Sequence, residues 1–116
     1  MKTFTIGLAL VLVTGTVFAG RVPGQPMSMY DIVDARDSRY HIIAFNKDEL
    51  ASVLVDGDGS SDLDCFVYDD RKNIVATDID NTDVCLLLWV PDRTSRFIIE
   101  IRNLGDVNNE FLIKAN

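Results

Sequence analysis

Short apolar runs recur about every ten positions along this chain, and the turns between them are rich in Asp, Asn, Gly and Ser. Windows of 11 residues or more show no 3.6-residue period of the kind an amphipathic helix needs. Period-two alternation at this spacing predicts an all-β sandwich or barrel. Eight strands are expected: Tyr30–Asp34, Tyr40–Phe45, Leu50–Val55, Leu63–Tyr68, Ile74–Thr77, Val84–Val90, Phe97–Arg102 and Glu110–Lys114. Alternation also assigns faces, because successive side chains leave a strand on opposite sides. Leu63, Cys65 and Val67 are expected inside, opposite Asp64, Phe66 and Tyr68. Cys85, Leu87 and Trp89 share one face, as do Phe97, Ile99 and Ile101, and Phe111 with Ile113. Asp69–Asn73 reads as a hairpin turn, and Asn103–Asp106 as another in which Gly105 can take a left-handed conformation.

The N-terminus breaks this rhythm. Lys2 is followed by an uncharged, mostly apolar run from Phe4 to Phe18, and Val17-Phe18-Ala19 places small residues at the −3 and −1 positions before Gly20. Residues 1–19 therefore read as a secretory signal peptide. The run is interrupted by Thr14, Gly15 and Thr16 and is shorter than the roughly 20 residues of a spanning helix. Residues 20–29, with Pro23, Gly24 and Pro26, read as an irregular segment, and residues 30–116 as one β-sandwich domain. The expected location is secreted or periplasmic, with no membrane attachment after cleavage.

Charge narrows the partners. The whole chain carries a net charge of −7, and loss of Lys2 with the leader makes it one unit more negative. That sign opposes nucleic acid and anionic membranes and favours, locally, cations. Most of these carboxylates are expected to solvate loops.

Export gives the two cysteines a meaning. In an oxidising compartment an even count suggests a bridge, and Cys65 and Cys85 lie 20 positions apart on inward faces of two strands. Closing such a loop is worth about 3 kcal/mol by chain entropy. The alternative is a pair of buried free thiols. A zinc site is disfavoured because the spacing matches no zinc pattern.

The densest chemistry lies in Asp56-Gly-Asp-Gly-Ser-Ser-Asp-Leu-Asp-Cys-Phe-Val-Tyr-Asp69. Asp56, Asp58, Ser60, Asp62 and Asp64 fall at every second position, and a hard cation wants several oxygens at once. Asp58, Asp62 and Asp64 are the candidate calcium ligands, with Asp31 or Asp34 as further donors. A helix–loop–helix calcium site is excluded, because its sixth position would be Ser61 rather than Gly and its twelfth Val67 rather than Glu. The plainer reading is a solvated turn whose Asp side chains bond nearby amides. Phe66 and Tyr68, on the outward side of their strand, are candidate surface-binding residues.

Catalysis has little support. The single histidine, His41, stands inside an apolar strand with no evident acid partner, and no nucleophile–base set or phosphate-cradling glycine loop is present.

Three segments taken together carry a family resemblance: Gly57-Asp-Gly-Ser-Ser-Asp-Leu-Asp-Cys-Phe-Val-Tyr-Asp69, Cys85-Leu-Leu-Leu-Trp-Val-Pro91, and Phe97-Ile-Ile-Glu-Ile-Arg-Asn-Leu-Gly105 followed by Asn109-Glu-Phe-Leu-Ile-Lys-Ala-Asn116. In order and spacing the chain from Tyr30 to Asn116 resembles the bacterial pre-peptidase C-terminal (PPC) domain. The resemblance implies a jelly-roll-like β-sandwich. It also implies an accessory role, since such domains often trail a secreted protease, and a calcium site near an acidic strand entry, as in related collagen-binding modules. Departures are Ser95 where a glycine usually precedes the Phe97 strand, and a hairpin near Lys72 without its usual glycine, where Asn73 is the nearest residue suited to a left-handed conformation. With no protease in the sequence, the domain is expected to stand alone. The expected function is a secreted non-enzymatic module that binds a protein or polysaccharide surface or serves as a stable accessory domain. The alternatives are a calcium-stabilised structural domain and, more remotely, a small hydrolase or protease inhibitor.

Overall fold

The computed structural model describes residues 22–116 together with the two-residue strand β1 (Thr16–Val17). The secretory leader expected over residues 1–19 otherwise lies outside the described residues. Eight further strands follow: β2 (Met27–Val33), β3 (Ser38–Phe45), β4 (Ala51–Asp56), β5 (Leu63–Tyr68), β6 (Ile74–Asp78), β7 (Val84–Trp89), β8 (Ser95–Asn103) and β9 (Asn109–Ala115). All eight expected strands are present, each displaced by three residues or fewer at its ends. The segment expected to be irregular as far as residue 29 instead joins β2 at Met27, because β2 follows β9 in register from Met27↔Ala115 to Val33↔Asn109.

Two sheets stack face to face. Sheet A has the order β1-β3-β8-β5-β6 and sheet B the order β2-β9-β4-β7. Every pairing among β2–β9 is antiparallel, whereas β1 lies parallel to β3. The inward sets are those the alternation assigns. Leu63, Cys65 and Val67, Cys85 and Leu87, Ile99 and Ile101, and Ile113 are fully buried, with Phe111 nearly so. Phe45, Trp89 and Phe97 fill one end of the core in edge-on and tilted contacts, with ring centroids 4.9–6.1 Å apart. Aromatic contacts of this kind add about 0.5–1.5 kcal/mol beyond area burial.

Both open sides of the sandwich are clasped. On one side Cys65 of β5 and Cys85 of β7 form a disulfide between the sheets, with Cα atoms 6.2 Å apart. Beside it Asp78 of β6 accepts the Leu86 amide of β7 at 2.9 Å. On the other side Asp31 of β2 accepts from the Arg39 guanidinium of β3 at 2.7 Å and lies 3.1 Å from His41 Nε2.

The turns correct two expectations. Gly105 is not left-handed. It is required because a Cβ there would meet the Ser61 Cβ at 2.4 Å. In the Asp69–Asn73 hairpin the left-handed residue is Lys72 (φ 68°), not Asn73. The Asp69 carboxylate holds that turn by accepting the Arg71 and Asn73 amides at 2.9 and 2.8 Å, which offsets the cost of a left-handed non-glycine residue.

Candidate functional site

The loops at one end of the sandwich are acidic, and two buried asparagines organise them. Asn103, at the end of β8, donates to the carbonyls of Val33, Asp34 and Val107 and accepts from Ser61 Oγ and the Gly105 amide. Asn109, at the start of β9, donates to Ser61 and to Asp83 Oδ2 and accepts the Asp58 amide. Buried amides of this kind are stable only when their polar atoms find partners, so the loop path is fixed by the ends of β8 and β9. Gly57 belongs to the same arrangement, since a Cβ there would fall 2.3 Å from Asp83 Oδ2.

Within this frame the three candidate calcium ligands part company. Asp58 is committed to the protein. One carboxylate oxygen caps its own turn by accepting the Ser60 amide and hydroxyl, and the other accepts the Glu110 amide at 3.0 Å. The Ser60 hydrogen bond above all, then the Glu110 amide, holds its carboxyl below the usual carboxylate range. Asp62 and Asp64 differ, for each buries one Oδ1 that has no hydrogen-bond partner. Burial pushes the Asp64 carboxyl up, and the negative charges of Asp62, Asp80 and Asp78 push the same way against the pull of Arg102. Asp31, a suggested further donor, faces Arg39 and His41 instead. Among the described residues no three carboxylate, imidazole or thiol side chains converge as a metal-binding group.

Phe66 and Tyr68 lie where the alternation puts them, on the outer face of sheet A. Their rings stack with centroids 6.5 Å apart and planes 30° from parallel. The Arg102 guanidinium caps Phe66 at 4.5 Å from the ring centre. Beneath them lies a feature that the sequence pattern did not suggest. Glu100 points outward by alternation yet is only 5% exposed. It accepts the Tyr68 hydroxyl at 2.7 Å, the Ser38 hydroxyl at 2.7 Å and Arg102 Nε at 3.2 Å. Partial burial, with the hydrogen bond to Glu100, pushes the Tyr68 phenol far above its ordinary value of 10. Burial and the Glu100 charge also raise that of Tyr40, which lies opposite Glu100. The result is an aromatic shelf with a hydrogen-bonded carboxylate beneath it and a guanidinium over one ring. Two strand pairings, β3 with β8 and β8 with β5, are needed to assemble it, so no local motif announced it.

His41 has the acid partner that the sequence did not reveal. Its ring is fully buried, lies edge-on to Phe111 at 6.1 Å and sits 3.1 Å from Asp31. Burial holds the imidazole below its ordinary value, and nearby Arg39 adds to this against the opposing pull of Asp31. A side chain sealed in the core cannot reach a solvent-borne substrate, so the pair ties β2 to β3.

No family model matches the chain, and no curated protein matches it. Solved structures do match. One is the pre-peptidase C-terminal domain of a collagenase from Bacillus anthracis, with a TM-score of 0.65, 6% sequence identity, and coverage of 78% of this chain and 88% of that one. At this identity the likeness concerns the fold. The described chain shares the fold of that PPC domain: an all-β sandwich of eight antiparallel strands, β2–β9, in two sheets, pinned by Cys65–Cys85.

Proposed function

We propose that this protein is a secreted, non-enzymatic accessory module that docks on a protein or polysaccharide surface through the outer face of sheet A. The observation that carries the reading is the Phe66–Tyr68 stack, held by Glu100 through the Tyr68 hydroxyl and capped by Arg102. The Tyr68 ring beside the half-exposed Arg102 guanidinium suits sugar rings or an extended peptide, which offer an apolar face and polar edges. The fold is that of a domain belonging to a collagenase, which supports an accessory role. The disulfide suits a compartment outside the cytosol. Retention on insoluble cell-wall glycans and immobilised matrix proteins tests the reading. Retention that Phe66→Ala abolishes is the expected result, and a protein that passes through every matrix overturns it.

A second reading rests on the orphaned Asp62 and Asp64 oxygens. They favour a calcium-stabilised domain in which these two carboxylates share a hard cation, with water completing its oxygen shell. Asp58 drops out of that set, because its oxygens already accept hydrogen bonds. A ligand bound only by the native state raises the melting midpoint. A higher midpoint in millimolar calcium than in chelator, lost in Asp64→Asn, is expected, and equal midpoints remove the idea.

A further inference from the structure

Given the docking role proposed above, on which this assignment rests, we propose that the outer face of sheet A takes a neutral, linear, β-linked polysaccharide. The chain lies across the strands with its sugar rings on Tyr40 and Tyr68, and Tyr40 sets the affinity for it. Register places Tyr40 of β3 and Phe66 of β5 on either side of Glu100 of β8, with Tyr68 opposite Ile98. Tyr40 and Tyr68 therefore stand two strand spacings apart, about 10 Å across the sheet. That is close to the length of one disaccharide repeat of an extended β-linked chain, a flat ribbon whose apolar ring faces turn to either side. Both phenols are tethered along the sheet. The Tyr68 hydroxyl reaches Glu100 at 2.7 Å, and the Tyr40 hydroxyl meets Ser38 on its own strand. A ring held at its tip by a neighbour on the same face lies over the sheet, and both rings are only partly buried. Phe66 cannot serve in the same way, because the Arg102 guanidinium covers it.

Three observations select this ligand over its rivals. First, the carboxylate at the centre of the face is spent. Glu100 accepts from Tyr68, Ser38 and Arg102 and is only 5% exposed, so it has nothing left for a cationic partner. Second, the face is no anion site. Arg102 is bonded to Glu100, which leaves Arg96 as an exposed cation of β8 with no acid partner among the described residues. One such cation does not offset the field of a chain with a net charge of −7, which repels a polyanion. Third, β8 is laddered to β3 on one side and β5 on the other. An extended peptide laid on this face would gain no main-chain hydrogen bonds, which are what usually hold such a peptide to a sheet. A neutral sugar chain needs none of these. Its C–H faces stack on the two rings, and its hydroxyls meet water, Arg102 and the exposed Thr77 opposite Phe66.

Titration of the protein, purified from an exporting host, with cellohexaose and chitohexaose tests the proposal, together with retention on insoluble cellulose and chitin. Binding to one of these glycans is expected. The Tyr40 and Tyr68 ring resonances should shift, and those of the Trp89 indole, buried in the core, should not. Affinity should change by less than about twofold between about 0.05 and about 0.5 M salt, because no charge is neutralised. Tyr40→Ala should weaken binding about tenfold or more, and Tyr40→Phe, which keeps the ring, by less than about threefold. Arg96→Gln should change it by less than about twofold. Should Tyr40→Ala fail to fold, the ring resonances of the wild type decide the matter. Binding to polygalacturonate alone overturns the proposal, as does a steep salt dependence, an unmoved Tyr40 ring, or a folded Tyr40→Ala that binds as the wild type does. Retention on matrix proteins with none on neutral glycans overturns it too, but leaves the docking role standing. A protein retained on no matrix at all removes both.

Discussion

The two outer faces of the sandwich solve the same problem in opposite ways. On sheet A the outward side chains cover one another. Glu100 is buried under Tyr68, Ser38 and Arg102, and Phe66 is roofed by Arg102. On sheet B nothing in the chain's described residues covers Tyr30, Leu86 or Leu88. A face that satisfies its own polar groups holds its rings and charges in a fixed pattern. A face with bare aliphatic side chains gains most by contact with another apolar surface. The contrast teaches that a fixed polar network resides on sheet A, and unspent hydrophobic free energy on sheet B.

The largest effect that can break this contrast comes from the link between the sheets. Cys65→Ser/Cys85→Ser removes the clasp on which both faces depend, and should cost about 2–5 kcal/mol. Urea denaturation should show the midpoint falling steeply, and a change below about 1 kcal/mol would mean that Asp78 and the core hold that side unaided. Next in size is Glu100→Ala. It leaves the Tyr68 and Ser38 hydroxyls and the Arg102 guanidinium without their shared acceptor, at about 1–3 kcal/mol. The matching change on sheet B, Leu86→Ser, should move monomer stability by less than about 0.5 kcal/mol, because its side chain is already half in water. Equal costs at the two positions would dissolve the distinction between the faces.

The strands were legible in the sequence because each inward set is periodic over four or more residues, as in Leu63-Asp-Cys-Phe-Val-Tyr68. The disulfide was legible for the same reason, since both cysteines fall on inward positions. The apolar face of sheet B was also written there, though it was not read. Once Cys85, Leu87 and Trp89 point inward, Leu86 and Leu88 must point outward. Glu100 and His41 were not legible. Glu100 breaks the alternation rule only because residues 62 positions before it and 32 before it close over it. His41 finds Asp31 only through the packing of β2 on β3. Among the acids, Asp58 could not be told from Asp64 by spacing. What separates them is the Glu110 amide, far along the chain.

A smaller effect probes the side of the sandwich opposite the disulfide. The folded protein holds His41 below its ordinary value of 6.5, chiefly by burial. The unfolded chain therefore binds the extra proton first as pH falls. Stability from the neutral imidazole is present above about pH 6.5 and is lost as pH drops below it. Asp31, likewise lowered in the fold, contributes stability that is lost only below about 3.8, so the first decline below pH 6.5 belongs to His41. Melting from pH 7.5 to 5 should show a declining midpoint, and a flat profile there would place the imidazole's protonation outside the folding equilibrium.

The finest test separates hydrogen bonding from stacking within sheet A itself. Tyr68→Phe keeps the ring over its neighbour but withdraws one donor from Glu100, and should cost about 1 kcal/mol. The phenol is raised in the folded state, so the native protein retains a proton that the unfolded chain releases. Stability from that group is complete below pH 10, its unfolded value, and declines as pH rises beyond it. Wild-type protein should thus lose stability between pH 9.5 and 11 more steeply than Tyr68→Phe does. Sheet B has no counterpart to this hydrogen-bonded phenol, because the Tyr30 ring stands in water, so Tyr30→Ala should move stability at neutral pH by less than about 0.5 kcal/mol. If Tyr68→Phe follows the wild-type profile and costs no more than Tyr30→Ala, the shelf on sheet A is no more self-satisfied than the bare face behind it, and the case for ligand docking there falls with the contrast.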